Sequence, residues 1–359
     1  MTVTAAATIS PAAIEARKQR WLDFYANTGQ TDFVFYVRYN DPEAALPEGV
    51  LCWPQNQARL VERRWAVYQH ELARAARIDD DYIPNISLMT GTEIFAEAFG
   101  CDVARPEDNN PFALPLIHSI SDLDKVKVPE LSTSSLAWHF DMADELYARA
   151  GGEAVLHLVD VQSPMDIAAL ILEKSAFFMA LMEQPEAVCE LASRVQQLLV
   201  AFFDEWFKRY GHDYVAHYPD YFMRGGLTLS EDEVGAVNPE AFDQYFLPEL
   251  NALSDHFGGL GIHCCADARH QWDGFRQVNN LKLINLCVPP TRTRQYAIDA
   301  YDHFVDCCAQ WNIGWPGDGP VETWPGQMPD GCRFVIETRA ETLDEARKLC
   351  DKLHAQRGD

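Results

Sequence analysis

Eight short apolar segments, separated by stretches of helical periodicity, constrain the fold of this 359-residue chain most strongly. Residues 154–161, with the sequence AVLHLVDV, are apolar almost throughout, which is typical of a parallel strand buried on both faces. Because helical patterns lie between most of these segments, the sequence predicts an α/β fold with parallel strands. The other predicted strands cover residues 33–39, 82–88, 221–229, 258–265, 281–288, 312–315 and 333–338.

Eight alternating units of this kind predict a single (β/α)8 TIM barrel. Residues 1–80 are expected to form an N-terminal helical extension and the first barrel strand, and residues 81–359 the rest of the barrel. Together they would make one structural domain, since no repeat, low-complexity tract or composition break marks a linker. The alternative is an open doubly wound sheet, but no glycine-rich phosphate turn follows any predicted strand.

The net charge of −25 argues against nucleic acid or an anionic membrane surface as a partner, because phosphates would be repelled. No run of about 18 apolar residues is present, and the N-terminus lacks the charge pattern of a secretory signal. The ten cysteines are therefore expected to be reduced thiols in a cytoplasmic protein. The acidic runs at residues 79–81 and 230–233 are interpreted as solvated ends of helices or loops.

Catalytic residues of TIM barrels lie at the carboxyl ends of the strands. On this basis Asp160, Arg224 and Asp267 are predicted to be catalytic. Arg224 would bind a substrate carboxylate, and its alternative role is an ion pair with a structural acid. Asp160 has the alternative role of a hydrogen-bonding residue that orients a loop.

The segment GGLGIHCCAD at residues 258–267 ends a predicted strand with His263 and Cys265, which alternation places on one face. Imidazole and thiolate together favour zinc over magnesium or calcium. The neighbouring Cys264 is expected to point outward into the helix layer. The alternative is that His263 and Cys265 are a buried core pair, and a zinc site would need a third ligand from elsewhere in the chain.

Several passages resemble the uroporphyrinogen decarboxylase superfamily, and within it the methylcobamide-dependent methyltransferase branch. The likeness covers roughly residues 80 to 355, and the shared order of the passages is its stronger signal. His263 and Cys265 resemble the His-any-Cys zinc motif of the methyltransferases. The other similar passages are Ile120–Glu130, Asp160–Ala169, Gln184–Leu191 and Val237–Leu250.

Two departures from these families matter. The arginine-rich motif of the decarboxylase branch has no counterpart, which argues against porphyrin decarboxylation. The methyltransferases complete their zinc site with a cysteine after the last strand, where this chain reads VIETRAETLDEA. Glu337 is therefore predicted as the third zinc ligand, and a solvated acid or ion-pair partner is its alternative role.

The resemblance implies a zinc-dependent methyltransferase that moves a methyl group between a small methylated or thiol substrate and a corrinoid on a separate protein. Two alternatives stay open: a metal-independent decarboxylase or lyase of a small carboxylic acid, and a non-catalytic ligand-binding relative. The expected partners are the small-molecule substrate, a corrinoid-binding protein and a second copy of the chain in a homodimer.

Overall fold

The computed structural model describes residues 8–27, 32–39, 46, 48–107, 109–312 and 317–358. The helices are α1 Pro11–Ala26, α2 Gln57–Ala75, α3 Ile94–Ala98, α4 Ala137–Arg149, α5 Pro164–Ile171, α6 Lys174–Glu183, α7 Pro185–Tyr210, α8 Pro239–Ala241, α9 Leu247–Phe257, α10 Trp272–Phe275, α11 Gln295–Phe304 and α12 Leu343–Arg357. The strands are β1 Phe33–Tyr39, β2 Asn85–Ile86, β3 Val103–Ala104, β4 Phe112–Ala113, β5 Val155–His157, β6 Asp213–Val215, β7 Phe222–Arg224, β8 Leu227–Ser230, β9 Leu260–Cys264, β10 Leu281–Leu286, β11 Ala309–Gln310 and β12 Phe334–Ala340.

Parallel pairing dominates the two larger sheets. The first has six strands in the order β1-β12-β11-β10-β9-β8, and each neighbouring pair is parallel. The second has the order β2-β5-β6-β7, in which only β7 is antiparallel to its neighbour. The predicted α/β fold with a parallel sheet is confirmed. Closure of the barrel stays a prediction, because the strands form two sheets rather than one continuous ladder.

Hydrogen bonds connect the two sheets at both of their borders. Near β8, the Ser163 amide donates to the Ser230 carbonyl at 2.8 Å, and the Ser230 amide donates to the Val161 carbonyl at 2.9 Å. Near β1, the Asp81 amide donates to the Phe35 carbonyl at 2.9 Å. The carboxylate of Asp81 in turn accepts the Phe35 amide at 2.8 Å. Side-chain oxygens therefore take the place of ladder carbonyls at this border.

Two fully buried carboxylates, Asp80 and Asp81, lie at the border beside β1. Asp80 accepts the Val37 amide at 3.2 Å and pairs with Arg74 of α2 at 3.0 Å and with Arg17 of α1 at 3.3 Å. Asp81 pairs in the same way with guanidinium groups of α1 and α12. The interpretation of residues 79–81 as solvated is therefore wrong for these two carboxylates, because arginines from three helices converge on them.

The long helix α7 is amphipathic, as its sequence predicts. The stripe Val188, Leu191, Val195, Leu198, Leu199 and Phe202 is fully buried. Apolar residues at three- and four-residue spacing form one face, which packs against α5, α6 and α9. Among the helices of the described ranges, none has the length and apolar character needed to cross a membrane.

The predicted strand at residues 221–229 is wrong in its bounds. Gly225 and Gly226 have φ values of 72° and 82°, which side-chain-bearing residues rarely adopt, and they separate β7 from β8. Strand β6, which precedes β7, has only three residues and begins with Asp213, and the sequence pattern does not predict it. Strand β11 at Ala309–Gln310 precedes the strand expected at residues 312–315, of which residues 313–315 lie outside the described part.

We predict that Asp80→Ala lowers the free energy of unfolding by about 3–5 kcal/mol, because it leaves buried guanidinium groups unpaired. Asp79→Ala is the matched control. The side chain of Asp79 is 69% exposed and pairs with Arg20, so its loss is expected to cost at most about 1 kcal/mol. Urea unfolding measures both variants. Equal losses would contradict a special role for the buried carboxylate.

Candidate functional site

The end of β9 places His263 and Cys265 on the inner face of the sheet. The helix before it, α9, ends at Gly258 in the left-handed conformation, with φ of 87°. Within the strand, a Cβ at residue 261 would collide with the Tyr221 hydroxyl, so only glycine is compatible with this close approach. Cys264 is fully buried in the helix layer, as expected from alternation.

The orientation and tautomer of His263 are determined by Asn285 on the neighbouring strand β10. The Asn285 amide nitrogen donates to the Trp311 carbonyl, so its oxygen faces the His263 ring. His263 Nδ1 lies 2.6 Å from that oxygen and therefore carries the proton. Burial lowers the pKa of His263. The Nε2 atom is consequently left with a lone pair, which could bind a metal or accept a proton.

Cys265 is held by Asp232, which lies just beyond β8. The Cys265 amide donates to Asp232 Oδ1 at 2.7 Å, and the thiol donates to Asp232 Oδ2 at 3.1 Å. Partial burial raises the pKa of the Cys265 thiol to about 12, and the Asp232 carboxylate and nearby Cys287 contribute. Partial burial and Asp232 also raise the pKa of Cys287, to about 11. Without a bound cation, both thiols are therefore protonated at neutral pH.

We call His263, Cys265, Cys287 and Asp232 the thiol–imidazole cluster. Its donor types are those that zinc prefers, so the sequence expectation of a soft-metal pair agrees with the chemistry of the side chains. In the described ranges, however, no three His, Cys, Asp or Glu side chains are gathered closely enough to hold a metal ion. Binding would require at least the Cys265 thiol to leave Asp232.

Glu337 belongs to a second polar group, which we call the ion-pair chain. Arg38 near the end of β1 donates to Glu337 Oε1 at 3.1 Å and to Asp220 Oδ2 at 3.3 Å. Asp220 Oδ1 lies 3.3 Å from His157 Nε2. Burial acts to raise the pKa of Asp220, but His157 and Arg38 outweigh it and the pKa is lowered. The structure therefore places Glu337 with a guanidinium rather than in the thiol–imidazole cluster.

Tyr218 lies between these two groups. Its ring centroid is 4.6 Å from that of His263 in an edge-to-face arrangement, and 44% of the residue is exposed. Burial raises the pKa of Tyr218, and Cys287, Glu337, Asp220 and Cys265 all contribute. The ring therefore covers His263 from the solvent side.

Asp160 follows β5 and is half-buried beside the site. Its amide donates to the Thr90 hydroxyl at 2.7 Å. Burial raises the pKa of Asp160 to about 6; His157 opposes this shift, and Asp232 adds to it. A carboxyl group with this pKa can hold or release a proton near neutral pH.

The other two predicted catalytic residues are not brought to this site. Arg224 donates to both carboxylate oxygens of Asp213, the first residue of β6, and therefore lies at the amino end of the strands. Its alternative role as an ion-pair partner matches this geometry. Asp267 lies on the loop after β9, and its carboxylate accepts a hydrogen bond from Arg292 at 2.8 Å.

Residues 83–287, more than half of the chain, match the uroporphyrinogen decarboxylase (URO-D) family. The chain belongs to the URO-D family. A methyltransferase from Methanosarcina mazei has a similar structure, with a TM-score of 0.62 and 11% sequence identity over 95% of this chain and 98% of that one. At this identity the likeness shows a shared fold. No curated protein matches the sequence. The predicted family is confirmed.

Sequence reasoning missed several polar residues of this URO-D site: Arg38, His157, Asp220 and Asp232. Arg38 stands near the end of a predicted strand, a position that could have identified it. Asp220 could not be identified as a residue that follows a strand, because the sequence pattern does not predict β6. Asp232 lies in the acidic run 230–233, whose interpretation as solvated is wrong at Glu231, which is 1% exposed.

We predict that Asp160→Asn stabilises the protein at about pH 7.5 but not at about pH 4. The pKa of this carboxyl is raised in the folded state, so folding favours its protonated form. The cost of ionisation is absent below the unfolded pKa and complete above about pH 6. The advantage of the variant should grow by about 1–3 kcal/mol across this range, measured by urea unfolding. Asp124→Asn, at an exposed position of the 3-10 helix Ile120–Lys125, is the control. A difference that does not change with pH would contradict the shift.

Proposed function

We propose that the protein is a methyltransferase that moves a methyl group between a small methylated or thiol substrate and a corrinoid bound to a separate protein. One observation carries the proposal: His263 and Cys265 lie together at the end of one strand, and Asn285 sets the tautomer of His263. The chain that holds this pair belongs to the URO-D family. The similarity in fold to a methyltransferase supports the same reaction class.

Zinc is part of this proposal, with His263 Nε2 and the Cys265 sulfur as two of its ligands. When bound, it would lower the pKa of a substrate thiol or polarise a substrate ether oxygen. Glu337 is less suited to be a ligand than the sequence suggests, because Arg38 already holds its carboxylate.

The protein's own residues have distinct roles in the proposed reaction. Asn285 keeps the Nε2 lone pair of His263 available, and Asp232 holds the Cys265 thiol by accepting its hydrogen bond. Asp160, with a pKa of about 6, can donate a proton to an oxygen that leaves without its methyl group. Tyr218 limits access of water to the imidazole.

The decarboxylase alternative depends on a cation that grips a substrate carboxylate. Arg224 cannot serve, since Asp213 neutralises it at the amino end of the strands. Arg38 lies at the site, but it is already paired with Asp220 and Glu337. This pairing favours the methyltransferase.

We predict that the zinc-supplied protein converts small thiols to methyl thioethers with methylcobalamin as methyl donor, detected by mass spectrometry. The double variant His263→Ala, Cys265→Ala should lose bound zinc and slow this reaction by roughly tenfold or more, because both donors are removed. Cys189→Ser, on the outer helix α7, is the matched control and should keep both.

Two results would contradict the proposal. Zinc-free protein that releases carbon dioxide from a small carboxylic acid would indicate the decarboxylase. Saturable binding of a methylated compound, without turnover in the presence of zinc and methylcobalamin, would indicate a non-catalytic relative.

A further inference from the structure

Cys265 and Cys287 occupy equivalent places at the ends of two adjacent parallel strands. Cys264 of β9 pairs in register with Leu286 of β10, so residues 265 and 287 are the next pair along. The Cys287 amide donates to the Cys264 carbonyl at 3.1 Å, which extends the ladder to this position. Neighbouring strands lie about 4.8 Å apart, and residues opposite each other point to the same face.

The same alternation places the pair His263 and Asn285 on that face, one step before the two cysteines. The inner face therefore presents an imidazole, its orienting amide and two thiols within one short stretch of two strands. Cys287 has no other role in the proposed reaction. It is partly buried, unlike the fully buried Cys264, which packs in the core.

We propose that Cys287, and not Glu337, is the third protein ligand of a soft-metal site formed with His263 and Cys265. The inference rests on the proposed zinc site and deepens it, but it does not depend on methyl transfer. One nitrogen and two sulfur donors suit zinc, and three protein ligands leave a fourth position open for a substrate.

Strand order also favours Cys287 over Glu337. Cys287 follows β10, the direct neighbour of β9, whereas Glu337 lies on β12, three strands away from β9. That separation is about 14 Å along the sheet. Recruiting Glu337 would in addition remove the carboxylate that lies 3.1 Å from Arg38. Recruiting Cys287 breaks no ion pair.

In the described structure the side chains of His263, Cys265 and Cys287 are not gathered closely enough to hold a metal ion, so binding requires changes at the two thiols. The Cys265 sulfur must turn away from Asp232, and each of the two thiols must release its proton as its sulfur binds the cation. His263 needs no change of tautomer, because its proton is already on Nδ1. The metal would bind two thiolates if Cys287 is the third ligand and one thiolate if Glu337 is. Counting the bound thiolates therefore distinguishes the two assignments.

The test is cobalt(II) and zinc titration of the full-length protein after treatment with a chelator. The intensity of the sulfur-to-cobalt charge-transfer absorption reports the number of bound thiolates. Wild type and Glu337→Gln should both show two thiolates, and Cys287→Ser and Cys265→Ser should each show one. Cys287→Ser should weaken zinc binding by on the order of 100-fold or more. Loss of a residue that only contacts a ligand typically weakens binding by about 10- to 100-fold. Cys189→Ser is the control for cysteine substitution in general.

Each outcome has a defined meaning. A two-thiolate spectrum that persists in Cys287→Ser, or a zinc site lost in Glu337→Gln, would overturn the assignment of Cys287 while leaving the zinc proposal standing. Failure of wild type to bind cobalt or zinc would overturn both.

A second measurement covers the case in which Cys287→Ser does not fold. Diamide, a two-electron oxidant of thiols, should join Cys265 and Cys287 of the wild type in a disulfide, as both S–H bonds break and diamide takes up the two hydrogens. Peptide mapping identifies the bond. Bound zinc should prevent it, and a disulfide that forms equally fast with zinc present would contradict shared binding.

Discussion

The buried carboxylates of Asp80 and Asp81 connect parts of the chain that are far apart in sequence. Arginines of α1, α2 and α12 converge on them, and their oxygens accept the Phe35 and Val37 amides of β1. Because a buried carboxylate is costly without partners, this arrangement holds the N-terminal helix, the C-terminal helix and the first strand in one geometry. The end of the same strand carries Arg38 into the candidate site, so the position of the ion-pair chain depends on these carboxylates.

The interior of the six-stranded sheet continues this use of polar groups. Asn285, Gln310 and Asn312 are almost fully buried, yet each is hydrogen-bonded. Asn285 donates to the Trp311 carbonyl, Gln310 donates to the Tyr301 carbonyl of α11, and Asn312 accepts from the Leu286 amide of β10. Fully satisfied amides in a core give up little stability and allow few alternative arrangements. Asn285 is the member that reaches the site, where it sets the tautomer of His263. The chemistry of the candidate site therefore depends on hydrogen-bonded amides in the interior of the sheet.

Local patterns were enough to predict the parallel α/β fold and the position of His263 and Cys265 at a strand end, because alternation within one strand determines which side chains share a face. Contacts between strands were beyond the reach of that reasoning. The pairing of Arg38 with Glu337 depends on β1 and β12 being neighbours, and the adjacency of Cys265 and Cys287 depends on the register of β9 and β10. The acidic runs were misjudged for the same reason, since nothing in their own sequence reveals the arginines, amides and thiol that surround them.

Charge balance ties the two polar groups of the site together. A dication bound by two thiolates and one neutral imidazole has no net charge, so it can occupy a partly buried pocket at low electrostatic cost. If Glu337 were a ligand instead, the metal site would also be neutral, but Arg38 would keep only Asp220, which His157 also contacts. With Cys287 as the ligand, Glu337 stays paired with Arg38, so the ion-pair chain keeps all of its contacts. Burial raises the pKa of Asp160 to about 6 and that of Glu93, whose charge interacts with that of Asp160, to about 7. Protonation of these carboxyls would make the surroundings of the site less negative than the net charge of −25 implies.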